Sequence, residues 1–227
     1  MRFKDVFSII GPAMVGPSSS HTAGAVRIGR VARQLLGAGT PERAIVTFYG
    51  SFADTYQGHG TDLAVIAGLL DCDTDDSRIP HSREEAEKAG MAVEFRIGVN
   101  PLYHPNTVRL ELFKGERRLT AAGSSIGGGN VEMFSVDGFD VKFTGMYPTL
   151  VLYHRDRPGM IADVAELLRR HHLNIGSMDV DRKARSGDAL TVMEVDSPVS
   201  EEIAGDLGRI SEVRDVRTID LTKRGRP

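Results

Sequence analysis

The chain has 227 residues, 41% hydrophobic and 26% charged, enough for one large globular domain or two small ones. A formal net charge of -3 argues against nucleic acid as a partner, which would call for a basic surplus. No window approaches the roughly 20 apolar residues of a membrane span, and Met1-Arg2-Phe3-Lys4-Asp5 is not followed by the apolar stretch of a secretory leader. Neither a membrane nor a nucleic-acid role is expected, and the expected compartment is the cytoplasm.

The single cysteine, Cys72, cannot form an internal disulfide, build a multi-cysteine zinc site or hold an iron–sulfur cluster by itself. It lies among Asp71, Asp73, Asp75 and Asp76, whose charges oppose thiolate formation. Cys72 is therefore not expected to be a nucleophile.

In chain order, Thr22 to Leu36 has helical spacing. Ala25, Ile28, Ala32 and Leu35 form the apolar stripe, Arg27, Arg30 and Arg33 lie off it, and Gly37 and Gly39 stop the helix. Ala44 to Tyr49 reads as a strand, and Gly50-Ser51 opens a polar loop. Gly60 to Leu70 reads as a helix buried on most sides. An acidic turn region, Asp71 to Ser82, leads to a short helix, Arg83 to Ala89. Strands follow at Val93 to Ile97 and Thr107 to Phe113. After the turn Lys114-Gly115-Glu116-Arg117 the chain returns from Leu119, and Val131 to Val136 is another strand.

A boundary falls near Thr144-Gly145-Met146-Tyr147-Pro148, dividing the chain into 1–147, 148–222 and a basic tail, 223–227. The second part alternates regularly. Thr149 to His154 is a strand, Met160 to His171 a helix, and Asn174 to Arg182 and Asp188 to Val195 are strands. Pro198 to Ile210 is a helix with proline in its first turn, and Val213 to Ile219 is the last strand. This β-α-β-β-α-β order predicts a ferredoxin-like fold behind a mixed α/β first domain, giving an α+β protein. Two helices cover only one face of such a sheet, so the free face and edges predict self-association.

Four clusters could carry chemistry. Ser18-Ser19-Ser20-His21-Thr22 stands where a helix begins. There, unpaired N–H groups and partial positive charge favour an anion. The same serines could equally be a plain helix cap. In Gly58-His59-Gly60-Thr61-Asp62 the glycines permit close backbone approach to a loop histidine, Thr61 or Asp62 can cap the next helix, and Asp54 could orient the imidazole. Gly127-Gly128-Gly129 could cradle a carboxylate with bare N–H groups or be a flexible hairpin loop. His154-Arg155-Asp156-Arg157-Pro158-Gly159 exposes backbone at a helix start. Asn174 is expected beside that turn, with the donor and acceptor that amino-acid recognition needs. No metal site within this chain is expected. His21, His59, His81 and His104 are far apart in sequence, and the side chains of adjacent His171 and His172 point apart.

The segment Gly11-Pro12-Ala13-Met14-Val15-Gly16-Pro17-Ser18-Ser19-Ser20-His21-Thr22, together with Gly58-His59-Gly60-Thr61-Asp62 and Ser125-Ile126-Gly127-Gly128-Gly129, resembles the beta part of the bacterial iron–sulfur-dependent L-serine dehydratases. The second part resembles an ACT domain, a regulatory module that binds amino acids. The first part is also similar to an allosteric substrate-binding domain of some phosphoglycerate dehydrogenases. The dehydratase resemblance implies conversion of L-serine to pyruvate and ammonia. It implies a [4Fe-4S] cluster ligated by a separate alpha subunit, in which an open iron acts as Lewis acid on the serine hydroxyl.

His21 and His59 would then reach the cluster pocket. Ser18, Ser19, Ser20, Thr22, Thr61, Asp62 and Gly127, Gly128 and Gly129 would hold or shape the substrate site. The general base is not assigned to either histidine. For the ACT part, serine-sensing modules use a histidine and two asparagines where this chain has His154, Asp156 and Asn174, next to Gly159. Asp156 departs from that pattern, because a carboxylate accepts but does not donate and repels a ligand carboxylate. A purely regulatory serine-binding module is the competing reading.

Overall fold

The computed structural model describes residues 12–222. The start, Met1 to Gly11, and the basic tail, Lys223 to Pro227, lie outside the described residues, and so do the leader and tail readings. The helix that the spacing starts at Thr22 begins three residues earlier. One turn of π-helix, Ser19–Ala23, runs directly into α1, Gly24–Leu36. Ser18 caps it: its backbone is extended and its hydroxyl accepts from the His21 N–H. Gly37, at φ 66, ends it in the left-handed region.

After β1 (Arg43–Tyr49) comes α2 (Ser51–Thr55), where the sequence reads only a polar loop; five residues are too few to show a helical period. Then follow α3 (Thr61–Leu69), a 3₁₀ turn at Ile79–His81 and α4 (Ser82–Lys88). Strands β2 (Ala92–Ile97), β3 (Thr107–Lys114), β4 (Arg117–Gly127), β5 (Asn130–Val136) and β6 (Phe139–Phe143) complete the first part. The sequence reading ends this sheet at Val136. Yet Phe139, Val141 and Phe143 are buried in strict alternation with exposed Asp140 and Lys142, which is the strand signature. The sheet order is β2-β1-β3-β4-β5-β6, with β1 and β2 parallel and the other pairs antiparallel.

Helices α1 and α3 cross at a pair of glycines. A Cβ on Gly68 would sit 2.1 Å from the Val26 carbonyl oxygen, and one on Gly29 would sit 2.6 Å from that of Val65. Only bare Cα atoms allow this approach, which sets the two helix starts side by side. Arg30, expected off the apolar stripe, is in fact 1% exposed and is a correction to that reading. The acidic loop closes over it, and Arg30 lies 3.3 Å from Asp71 and 3.4 Å from Asp73. The same loop pins the entry to the serine turn: the Val15 N–H donates to the Thr74 carbonyl and the Thr74 hydroxyl donates to the Ala13 carbonyl.

The second part is the ferredoxin-like unit that the sequence predicts. It contains β7 (Thr149–Arg155), α5 (Met160–Arg170), β8 (Ile175–Arg182), β9 (Asp188–Val195), α6 (Glu201–Gly208) and β10 (Val213–Ile219), in sheet order β10-β7-β9-β8. Helix α6 starts at a Ser200 cap, whose hydroxyl accepts from the Ile203 N–H, so Pro198 precedes the helix instead of occupying its first turn. Leu150, Leu152, Met193 and Val195 pack beneath Val164, Leu168, Ile203 and Leu207 of the two helices.

The other sheet face is not left open for a second copy, as the sequence reading expected. Val151, Leu190, Val192 and Ile219 join the core of the first part, so the first domain covers this face in cis. Carboxylates of Asp179 and Asp181 accept from the N–H groups of Lys142 and Asp140 along the β6 edge, and Glu194 accepts from Thr144 and Gly145. At the end of α1, Arg217 donates to the Leu35 carbonyl, and Gln34 exchanges two hydrogen bonds with the Asp220 backbone. Apolar contact and satisfied backbone groups together make this junction part of the fold.

Replacing Gly68 by alanine should cost about 3 kcal/mol, because the new methyl meets backbone oxygen that cannot move without separating the helices. In a chain of this size that lowers Tm by about 10 °C. Gly205→Ala, in α6 with open space around the new Cβ, should be neutral or slightly stabilising in the same thermal melt. Equal melting of the two variants would show that the α1–α3 crossing is not the constraint described.

Candidate active site at two helix starts

Three pieces of backbone meet beyond the glycine crossing: the serine turn leading into α1, the Gly50–Phe52 corner, and the Gly58–Thr61 turn leading into α3. The serine turn is both a cap and a candidate site. The Ser18 hydroxyl accepts from the His21 N–H at 3.3 Å and also lies 3.4 Å from its ring Nδ1. The Ser20 hydroxyl is closer, 3.1 Å from the same nitrogen, and Ser51 stands 3.3 Å from Nε2 on the opposite side. Ser19 is half-buried in the same turn. The π geometry, in which the Gly24 N–H reaches the Ser19 carbonyl, adds a residue to the turn and places Ser18, Ser20 and His21 together.

His21 is 9% exposed and is packed edge-on against two rings, with centroids 4.7 Å from His59 and 5.1 Å from Phe52. Burial, and secondarily the neighbouring His59, hold its pKa below the ordinary histidine value of 6.5. At neutral pH His21 is thus an uncharged imidazole, with one ring nitrogen donating and the other accepting. His59 is exposed, at the open side of the pair.

Other predicted members are brought close but are differently engaged. Thr22 and Thr61 are 2% and 0% exposed, and neither hydroxyl oxygen has a hydrogen-bond partner among the described residues. Thr22, Gly16, Gln57, His59, Gly60 and Leu63 line a cavity of about 290 Å³ beside the histidines. The expected side-chain cap on α3 is not formed; Gly60, left-handed at φ 67, makes the turn instead. Asp62 is buried, 3.1 Å from Arg83, so its charge is already compensated within the chain. Asp54 is exposed on α2 and makes no ion pair with His59 among the described residues.

The glycine triplet forms a hairpin. Gly127 pairs with Asn130 across a two-residue turn whose Gly128 and Gly129 have φ 61 and 76, the signs a type I′ turn needs. Its role is steric: a Cβ on Gly129 would sit 2.7 Å from Pro12 and 3.4 Å from Ala23, so the hairpin backs the serine turn. The Arg27 guanidinium donates to the Gly129 carbonyl at 2.7 Å and locks it there. Ser51 and Phe52 were missed by sequence reasoning. Their signal is slight: a serine after a glycine in a segment that reads as a polar loop.

The four effector candidates do not converge within one chain. His154 is buried, with Nε2 2.8 Å from the Thr191 hydroxyl and Nδ1 3.0 Å from the Arg155 carbonyl. Arg182 binds Asp156 at 2.9 Å and, with the Ser186 N–H, holds its carboxyl below the usual carboxylate range. Gly159, at φ 82, starts α5. Asn174 is not beside that turn: it donates to Asp196, at the opposite end of the sheet. The α5 crossover returns the chain to the beginning of β7 before β8 starts, and the register from Asp188 to Glu194 makes the separation about 20 Å.

No group of three or more His, Cys, Asp or Glu residues able to hold a metal occurs among the described residues. Cys72 is 1% exposed, and burial, followed by Asp76, pushes its thiol up to about 11. This cysteine is a buried apolar filler, unsuited to ligating a cluster.

The electrostatics give a direct test. In an NMR titration, His21 of the folded chain should titrate below 6.5, and His59→Ala should move it upward by removing the neighbouring positive charge. Because folding lowers this pKa, the unfolded chain takes up the proton first. As far as His21 is concerned, stability is undiminished above about pH 6.5 and falls as the solution is acidified. An unchanged His21 titration in His59→Ala would mean that the two rings do not interact.

Comparison with known proteins shows the family. The serine dehydratase beta chain family model matches residues 3–100 and the ACT domain model matches residues 149–212. The chain is 46% identical over 219 residues to a Bacillus subtilis protein named probable L-serine dehydratase, beta chain, covering 96% of this chain and 99% of that one. It is 37% identical to the L-serine dehydratase beta chain of Peptoniphilus asaccharolyticus, covering 87% and 89% of the two chains. The Escherichia coli L-serine dehydratase TdcG is 32% identical over 55% of this chain and 32% of its own length. Similarity that runs through both the double-histidine domain and the ferredoxin-like unit, at nearly full length in two relatives, shows that the chain belongs to the L-serine dehydratase beta chain family.

Proposed function

We propose that this chain is the beta subunit of a cytoplasmic [4Fe-4S] L-serine dehydratase that deaminates L-serine to pyruvate and ammonia together with a separate alpha subunit, which ligates the cluster. The observation that carries this reading is the His21–His59 pair, 4.7 Å apart and ringed by the hydroxyls of Ser18, Ser20 and Ser51. The absent cluster does not fit within this chain, whose one thiol is buried and protonated. The chain's contribution is therefore to bind and orient. His21, uncharged and held on both ring nitrogens, presents a fixed hydrogen-bonding group. His59, on the open side, is the group that a partner subunit and its substrate would meet. The buried Thr22 hydroxyl, unpaired beside the cavity, supplies a further polar contact for a small amino acid.

For the ACT domain the proposal is amino-acid sensing with self-association through the β8 edge, where Met178 and Val180 are exposed. The separation of Asn174 from Asp156 means that a ligand touching both would need two copies of the chain.

Reconstituted anaerobically with its alpha partner, the wild-type chain should release pyruvate from L-serine. His21→Ala and His59→Ala should each lower kcat by about a hundredfold or more, whereas His81→Ala, on an exposed turn, should not. Full turnover by both site variants would remove the active-site role and leave a regulatory serine-binding module. Calorimetry of the isolated chain with L-serine would then show that module's binding.

A further inference from the structure

The loop from Gly98 to Asn106 joins β2 to β3 and carries the two most exposed apolar side chains among the described residues, Val99 at 93% and Leu102 at 92%. Ile97, at the end of edge strand β2, continues the patch at 57%. The loop is built to hold that shape. The Asn100 side chain accepts from the Leu102 N–H at 3.0 Å, and the Asn100 carbonyl accepts from the Tyr103 N–H at 3.2 Å. His104 Nδ1 accepts from the Asn106 N–H, and the Thr107 hydroxyl donates to the His104 carbonyl. The Tyr103 ring is wedged against Tyr49 and Phe134, with centroids 5.1 and 5.3 Å away, and Gly98 is pressed on Tyr49 so closely that a Cβ would sit 2.3 Å from its ring. A rigid turn with apolar knobs in water is costly for an isolated chain and matches the anchor residues of protein interfaces.

The loop is also structurally continuous with the histidine site. The Pro105 carbonyl accepts from the Phe52 N–H at 3.2 Å, and Pro105 packs on Gly50 where a Cβ would sit 2.7 Å from its oxygen. Phe52 is the residue whose ring meets His21. The loop and the His21 ring are therefore built on one corner of the first domain. The other exposed apolar pair, Met178 and Val180, belongs to the ferredoxin-like sheet, so the two patches lie on separate units of the fold.

We propose that Val99 and Leu102, on the rim that Phe52 links to His21, form a docking knob for the metal-cluster-bearing subunit that completes the active site. This rests on the functional reading above. Membership of a beta chain family implies a partner subunit, and the candidate site and the most exposed large apolar side chains share one hydrogen-bonded corner. The occupant is a surface with a pocket for two aliphatic side chains, and docking there positions the partner's reacting centre over the histidines. The knob binds the partner and takes no part in the chemistry.

The test uses the full chain carrying both Val99→Asp and Leu102→Asp, titrated anaerobically against the purified cluster-bearing subunit and followed by calorimetry and sedimentation. The free variant should melt like the wild type, because both side chains are in solvent. Its affinity for the partner should fall by about thirtyfold or more, and saturating partner should restore wild-type kcat. Met178→Asp should leave that affinity unchanged. His21→Ala should bind normally yet stay slow at saturation, which separates docking from chemistry. Affinity of the double variant within twofold of wild type would overturn the proposal. So would a double variant that binds the partner normally but no longer self-associates, since that would make the loop a contact between copies of this chain. Full turnover by His21→Ala with weakened docking of the double variant would sink the functional reading and leave the docking surface standing.

Discussion

The arrangement depends on one contact, the passage of α1 over α3 through Gly29 and Gly68. Helices normally keep 8–10 Å between axes because side chains fill the gap. Here a single methyl would strike a carbonyl oxygen, so the two backbones touch. Each helix begins with a histidine-bearing turn, and the crossing brings those turns together. His21 and His59 are 38 positions apart in sequence, yet their rings meet edge to face. Every other feature of the site supports this contact. The acidic loop binds Arg30 of α1, the glycine hairpin backs the serine turn, and α2 sets Ser51 and Phe52 against His21.

The same helix also joins the two domains. Helix α1 carries the serine turn at its start and receives Arg217 and Asp220 at its end. The second sheet lays one apolar face on the first domain, grips the β6 edge with two carboxylates and holds the segment after it with a third. An exposed edge strand is a standing template for unwanted pairing, and acceptors along its N–H groups remove that hazard while fixing the angle between the sheets. The ferredoxin-like unit is consequently packed on and hydrogen-bonded to the helix that bears the candidate site, instead of hanging from a linker. Anything that shifts its last strand acts on α1 directly.

Two readings of the serine turn compete on sequence: helix cap and binding site. The structure shows the cap formed, and it sets the same serine beside the histidine of the candidate site. Ser18 satisfies a backbone donor and also stands beside a histidine nitrogen, because the π turn brings both within its reach. Histidine burial then decides the charge state. Hydroxyls can hydrogen-bond a neutral imidazole from both sides, whereas a second imidazole at 4.7 Å and loss of water both oppose protonation. A neutral ring, oriented in advance, can donate or accept without first losing a proton to bulk solvent.

Much was legible from the amino-acid order, because local physics writes it there. The β-α-β-β-α-β unit shows in its periods of two and 3.6, the helix stop at Gly37 and the turn at Gly159 show in glycine, and the lone cysteine among aspartates shows its own inertness. The motifs around His21 and His59 identified the family. What the order could not give is which groups meet. Arg30 reads as a surface residue until two aspartates 41 and 43 positions away close over it. The glycine triplet reads as either a ligand cradle or a hairpin loop, and its strand register forms the hairpin. Asn174 reads as a neighbour of Asp156 until the crossover helix carries it to the far end of the sheet. Ser51, in a helix of five residues, has almost no sequence signal, yet it holds one side of the central imidazole. Periodicity fixes elements because it depends on neighbours a few residues apart; the site depends on contacts between distant segments, and only packing decides those.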